Sequence, residues 1–502
     1  CRGDVPAVDL LICFPFLGAK PEEGESVFQT AVRCFAGWNL PVVRPVGLSG
    51  PEEDRPPLRP YASEMPVHFT LPEMQGMIEP VHIYSTSKQK RRVPDTERVE
   101  RLTGRIAGWL RLRNKPNHGK KIAVMLHNGP CSGVEATIGQ AVDLDAFQSV
   151  VNLLRRMAGE GYAVQDIPAD GKALRELIFR RKAFSDFRWT AAEDIASQGG
   201  AVYRMGKEEY LRCYNTLSSS VREQMEAHWG PPPGEAMVLD GELLITGISF
   251  GNVLVMVQPK RGCYGAKCTG EVCRILQDPA CPPTHQFLAA YWFLQHRWQA
   301  DAVVHMGTHG SLEFLPGRAC GLSRDCFPDI AIGDLVNIYP YCASVVSQAM
   351  IAKRRGYGVT VSYLPAPGKG LTPEQRHLAE LIRRYFEARE QESGQAEELK
   401  ADIRAAAVRS KAIQTVLERE TDFDAAIREA RAVLSQADAV RLGSGRRALG
   451  SVPDAQWVQD YIAGVWLSDA GDHWPQDPLE RGAAIEAAVD AALGGEDMSP
   501  PP

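Results

Sequence analysis

The chain has 502 residues, 56 Lys and Arg against 62 Asp and Glu, a net charge of −6 and a pI near 6.1. That length implies about three or four domains, and the acidic balance argues against a nucleic-acid binder, whose footprint would be a basic domain. No apolar run reaches the ~18–20 residues that span a bilayer.

The 12 cysteines are too sparse for a disulfide scaffold and point to a reducing compartment, the cytoplasm. The first residue is Cys1 and no signal peptide opens the chain, so a fragment of a longer protein is expected.

In chain order, residues 8–16 read as a short buried strand, 24–37 as a helix and Pro41–Pro45 as a second strand. This is βαβ grammar and predicts a parallel sheet. Residues 49–60 and the basic stretch 85–95 read as solvated loops. Residues 95–113 carry apolar positions at helical spacing, with arginines on the other face. A domain boundary is placed near residue 117, giving an N-terminal α/β portion over 1–116. Ile122–Leu126 is a continuous apolar strand leading into the loop 127–139, then a helix over 145–159 and a strand near 162–167.

Residues 171–229 are expected to be mostly helical. Residues 235–258 alternate as strands with Asp240-Gly241 as a hairpin turn. An aromatic helix over 283–299 follows, then a strand over 301–305, a glycine-rich turn, a helix over 344–355 and a strand over 357–364. The core therefore covers 117–365. Beyond it, 366–502 reads as a helical segment, rich in Ala, Glu, Arg and Leu over 373–436 and Ala-rich over 484–493. The fold class is multidomain α/β, with parallel or mixed sheets flanked by helices and a mainly helical C-terminal segment.

Chemistry concentrates in Ala302–Gly317, where His305 ends a strand, Gly307 and Gly310 allow a tight turn, and His309 and Glu313 follow. Open α/β sheets place ligands at such carboxyl ends. Imidazole and carboxylate suit Co, Ni, Zn or Fe, and either can take a proton from a bound substrate. The alternative is a pair of core histidines beside a helix cap. A second constellation is Cys263, Cys268, Cys273 and Cys281. It could hold zinc or an iron–sulfur cluster, or be four buried or free thiols, since it has no Cys-x2-Cys pair.

The segment Gly262–Thr269 fails the Walker pattern, so no nucleotide site is expected. The loop containing Asn128 and Glu135 could bind an anionic ligand side chain, or be an ordinary βα turn. Lys353, Arg354 and Arg355 suit a helix carboxyl end or a ligand's carboxylates. His285, Trp292 and His296 read as core residues of the aromatic helix.

The run VQPKRGCYGAKCTGEVCRILQDPACPPTHQFLAAYWFL, with the motif AVVHMGTHGSLEFLPG, resembles the large subunit of class I chelatases. These are the CobN-type subunit of cobaltochelatase and the H subunit of magnesium chelatase. LPEMQGMIEP, KKIAVMLHNGPCSGVEATIG, CFPDIAIGDLVNIYPY and IAKRRGYGVTVSYLPAP extend the likeness from about residue 8 to 440. The resemblance implies a tetrapyrrole-binding, metal-inserting subunit served by a separate AAA+ ATPase motor and an adaptor, and no membrane span.

It further implies metal handling by Glu313, His309 and His305. Contacts to the macrocycle are expected from Thr308, Asn128, Glu135 and the 353–355 cations. HNGPCSGVEATIG and RGCYGAKCTGEVC look CobN-like, which favours Co2+ and a corrin-type ring, hydrogenobyrinic acid a,c-diamide in cobalamin biosynthesis. Mg2+ with protoporphyrin IX, or a non-catalytic tetrapyrrole-sensing module, are the alternatives.

Overall fold

The computed structural model describes residues 8–14, 26–50, 60, 62–128, 138–185, 191–261, 280–307, 310–364, 373–390, 394–408, 410–419, 422–439, 447–452, 457–458 and 461. These fall into two compact units, residues 1–364 with 448–450, and residues 365–447 with 451–502.

The first unit opens with β1 (Leu11–Ile12) and β2 (Val42–Val43), a parallel pair joined by the helix Val27–Trp38. That helix starts where it does because Ser26 and Gln29 form a reciprocal capping box. β3 (Val46–Leu48), β4 (His82–Thr86) and β5 (Arg92–Pro94) form a second small sheet. The basic stretch expected as a loop is thus partly a hairpin, with β4 antiparallel to β5.

The helix Thr96–Asn114 is capped by Asp95, whose side chain accepts from the Arg98 N–H. Its arginines do not all face water. Arg98 and Arg105 are buried, paired with Asp329 and Glu79, and Trp109 Nε1 also donates to Glu79 at 2.8 Å. Residues on both sides of position 117 therefore share one compact unit, rather than separating into two bodies there.

The main sheet begins with β6 (Ile122–Leu126), in which every residue is buried. A smaller antiparallel sheet, ordered β7-β9-β8, follows from β7 (Ala201–Met205), β8 (Val238–Leu239) and β9 (Glu242–Thr246). β7 interrupts the stretch expected to be helical. Asp240 and Gly241 both take positive φ, 52° and 79°, the backbone that a two-residue hairpin requires. Residues 162–167 form no strand. Asn252 N–H donates to Ala163 O and Gln165 N–H to Phe250 O, outside any ladder.

β10 (Ile248–Phe250), β11 (Val253–Val257), β12 (Ala302–Met306), β13 (Val336–Cys342) and β14 (Gly358–Tyr363) complete a six-stranded sheet ordered β10-β11-β6-β12-β13-β14. Only β10 within it is antiparallel to its neighbour. β6 and β11 are buried along their whole length and lie next to each other, the pattern of strands covered on both faces.

One face packs on the helix His285–Trp292, whose eight residues are all buried. The other packs on the helices Ala146–Gly159 and Gly171–Arg181, each started by an aspartate cap. At roughly 1.5–3 kcal/mol per fully buried large apolar side chain, these two layers dominate the sheet's stability.

The second unit contains helices Pro373–Glu390, Gln395–Ala407, Lys411–Arg419 and Phe423–Ala439. They share a core of Leu378, Leu381, Tyr385, Leu399, Ile403 and Ile427. The Ala-rich stretch 484–493 lies outside the described residues.

Candidate functional site

Three parallel strands end side by side, and each hands the chain to a polar turn. β6 runs into His127 and Asn128, β11 into Gln258, and β12 into Gly307. Register is held past the strand ends: His127 N–H donates to Met306 O at 2.9 Å and Gln258 N–H to Leu126 O at 2.9 Å. Gly307 is required by close approach, because a Cβ there would lie 2.3 Å from His127 Cβ.

The chain then returns through a short 3₁₀ turn, Leu312–Phe314, which carries Glu313. Glu313 is 3 % exposed. Its Oε1 accepts from the Gly310 N–H at 2.7 Å and from the Tyr339 hydroxyl at 3.1 Å. Among the described residues no hydrogen bond reaches Oε2. The carboxylate is thus fixed by one oxygen while the other keeps its lone pairs.

His305 stands differently from its expected role. Both ring nitrogens are engaged: Nε2 lies 2.8 Å from the Tyr291 hydroxyl and Nδ1 2.8 Å from Asn337 Oδ1. Burial lowers its pKa, so the ring is neutral. Nothing on the imidazole is left to offer an incoming metal, and the Tyr291 ring stacks beside it at 6.0 Å. Among the described residues no group of three or more His, Cys, Asp or Glu is placed to hold a metal ion. His309 and Thr308 lie outside the described residues, as does Glu135. Asn128 is buried and forms an isolated bridge with Ile138.

Lys353, Arg354 and Arg355 are each engaged by groups of the protein itself. Arg354 pairs with Glu73, Nη2 to Oε2 at 2.7 Å, with only 14 % and 10 % of the two side chains exposed. Lys353 Nζ donates to the Glu73 main-chain oxygen at 3.3 Å. Arg355 spreads over four carbonyls, donating to Glu313 O at 2.5 Å, Gly317 O at 3.0 Å, and Leu315 O and Arg318 O. The Glu73 carboxylate holds the Arg354 guanidinium, and carbonyls that the tight turn leaves unsatisfied hold that of Arg355. Arg355 braces the turn, while Arg354 holds the helix end to Glu73.

Of the four cysteines, Cys263, Cys268 and Cys273 lie outside the described residues. Cys281 is buried against Trp229 and Ala236. His285 and Trp292 are core residues, as their segment suggested; His285 Nδ1 lies 2.7 Å from the Tyr210 hydroxyl.

Sequence reasoning missed Tyr291, Gln258, Asn337 and Tyr339, which surround His305 and Glu313. The signal that could have found Gln258 and Asn337 is a lone amide in or at the end of an otherwise apolar strand.

The CobN/Magnesium Chelatase family model matches residues 2–494. The chain therefore belongs to the CobN/magnesium chelatase family. It is 36% identical over 328 residues to the chloroplastic magnesium-chelatase subunit ChlH of Oryza sativa, covering 64% of this chain and 22% of that protein. It is 31% identical over 376 residues to the aerobic cobaltochelatase subunit CobN of Pseudomonas aeruginosa, 72% of this chain and 28% of that one.

A solved structure, the catalytic subunit of cobaltochelatase from Mycobacterium tuberculosis, aligns with a TM-score of 0.69 at 25% identity. The alignment covers 97% of this chain and 43% of that chain. The chain spans less than a third of the length of these two curated relatives.

Proposed function

We propose that this chain forms the part of a class I chelatase large subunit that inserts a divalent metal into a tetrapyrrole. The observation that carries the reading is Glu313, a buried carboxylate pinned by one oxygen at the carboxyl end of a parallel sheet, in a chain of this family. Insertion demands that water leave the metal and that two pyrrole protons be removed. A carboxylate with a free oxygen can replace water on the ion and accept a proton. Glu313 and His309 are assigned these tasks. His305 serves behind them, since its nitrogens are spent on Tyr291 and Asn337.

Cobalt and a corrin-type ring are the proposed substrates, supported by the CobN-like segments 127–139 and 261–273 and by the cobaltochelatase likeness over 97% of the chain. Magnesium with a porphyrin is the second reading, favoured by the 36% identity to the rice subunit. ATP hydrolysis is assigned to a separate AAA+ motor with an adaptor subunit.

The test is insertion of Co2+ and of Mg2+ by the complex reconstituted with motor, adaptor, ATP and the corresponding macrocycle. Glu313→Gln is expected to keep tetrapyrrole binding and to lose about 100-fold or more in insertion rate. Wild-type insertion by Glu313→Gln would overturn the assignment, and insertion of Mg2+ with exclusion of Co2+ would overturn the choice of metal.

A further inference from the structure

A single file of hydrogen bonds crosses the sheet behind Glu313, and its direction can be derived. Gly356 O is a carbonyl and can only accept, so the Asn337 amide must turn its Nδ2 toward it, at 2.8 Å. Asn337 Oδ1 then faces His305, so His305 Nδ1 carries the proton and donates at 2.8 Å. Its Nε2 is left as an acceptor and receives the Tyr291 hydroxyl proton at 2.8 Å. The Tyr291 oxygen accepts from Gln258 Nε2 at 2.9 Å. Gln258 Oε1, now fixed in place, accepts the Ser311 backbone N–H at 2.8 Å.

Every member is buried: Gln258 is 1 % exposed, Tyr291 0 %, His305 4 %, Asn337 2 % and Ser311 9 %. The file ends on two backbone groups that cannot reverse their roles. One is in the turn that carries Glu313, and the other is at the end of the helix Val346–Gly356. That same helix end grips the turn through Arg355.

We infer that Gln258, Tyr291 and His305 are positioning residues, which fix the Gly310–Glu313 stretch, and with it Glu313, through the Ser311 amide. This rests on the chelatase reading for its functional consequence, though not for its structural one. The file runs one way only, so losing a middle member frees the end. Tyr291→Phe removes one hydroxyl and keeps the ring; Gln258→Met removes both amide contacts and keeps the length.

The experiment has two readouts. Amide hydrogen exchange on the isolated chain should be at least tenfold faster over the peptide containing Ser311 in Tyr291→Phe and in Gln258→Met. The helix Ala146–Gly159 should exchange as in the wild type. Metal insertion in the reconstituted complex should fall at least tenfold in kcat, with tetrapyrrole affinity and the metal KM within about twofold. The double variant should be no worse than the worse single one, because both break the same file.

Unchanged exchange at Ser311 would overturn the inference whatever the activity. So would a uniform loss of protection across the chain, which marks a merely structural role. Wild-type kcat in Tyr291→Phe with Glu313→Gln inactive would also overturn it while leaving the chelatase reading intact. A wild-type complex that inserts no metal would remove that reading while the exchange result still decided the structural claim. As a separate check, the nitrogen shifts of His305 should report the Nδ1–H tautomer; the other tautomer would contradict the file.

Discussion

Arg354 and Glu73 are joined by a two-oxygen ion pair, with Nε 2.9 and 3.1 Å from the two carboxylate oxygens and Nη2 2.7 Å from the second. The pair ties the short helix Leu71–Met74 to the cationic end of the helix Val346–Gly356. Both residues belong to segments that carry the family likeness, and the contact gives them a mutual reason to be there.

The consequence is a prediction about Arg354. Replacing it with Ala leaves a mostly buried Glu73 without its partner, at an expected cost of about 1–3 kcal/mol. Glu73→Ala should cost a similar amount, and the double variant less than the sum. Denaturant unfolding of the four proteins measures the coupling. Tetrapyrrole affinity should stay within about twofold in Arg354→Ala. A large loss of affinity with unchanged stability would return Arg354 to the substrate.

Asp329 gives a stronger case. It is fully buried and meets Arg98 at 3.0 Å, Arg101 at 3.3 Å and the Tyr357 hydroxyl at 2.7 Å. Burial by itself would raise its pKa, but the two guanidinium groups and the hydroxyl outweigh it and hold it below the usual carboxylate range. Asp329→Asn removes the buried partner of Arg98, which is 1 % exposed and keeps only the part-exposed Glu97 as a carboxylate partner. The expected loss is about 3–5 kcal/mol, enough that expression yield should fall. Asp334→Asn, at a half-exposed partner of Arg101, should cost about 1 kcal/mol or less. Comparable losses at the two positions would contradict this.

How much of this was legible in the sequence differs residue by residue. Ile122–Leu126 and Ala302–Met306 were legible as strands, since an unbroken apolar run flanked by turn residues has few other homes. Glu313 was legible as a candidate because a turn after such a strand is where ligands sit. The file behind it was not. Gln258, Tyr291 and Asn337 each sit singly in apolar segments, and one polar residue carries no period. Arg98 and Arg105 pointed the wrong way for the opposite reason: spacing put them on a polar face, and only the partners Asp329 and Glu79, distant in sequence, draw them inside. β7 was hidden among helices because five residues are too few to outweigh their flanks.

Arg355 should resist conservative exchange. Its planar group reaches four carbonyls of residues 313–318 in one arrangement. A lysine is a point charge with a rotating ammonium and cannot span them. Arg355→Lys is expected to destabilise the protein by about 1–2 kcal/mol and to raise proteolytic cutting between residues 313 and 320. Limited proteolysis with mass spectrometry reads this directly. A digestion pattern identical to wild type would mean the turn holds itself.

The last prediction concerns acid. His285 is buried; its Nε2–H donates to Gly230 O at 3.0 Å, so its Nδ1 must accept the Tyr210 hydroxyl proton at 2.7 Å. Burial lowers its pKa below the ordinary 6.5, and the attraction of Gly230 O and Glu226 offsets that only in part. The sign then follows. In the unfolded chain the ring takes a proton near pH 6.5, whereas in the fold it does so only at lower pH, so the unfolded state binds more protons between the two values. Stability is therefore full above about pH 6.5. It declines as the pH falls below that, by at most about 1.4 kcal/mol per pH unit, and levels off once the folded value is passed. His285→Gln offers an amide donor to Gly230 and an oxygen to Tyr210, and does not titrate. It is expected to be less stable than wild type at pH 8, with a shallower decline between pH 7 and 5. Urea unfolding at half-unit steps from pH 8 to 5 makes the comparison, and the window lies above the range in which Asp329 protonates. If the two proteins lost stability in parallel across it, His285 would not be the group that titrates.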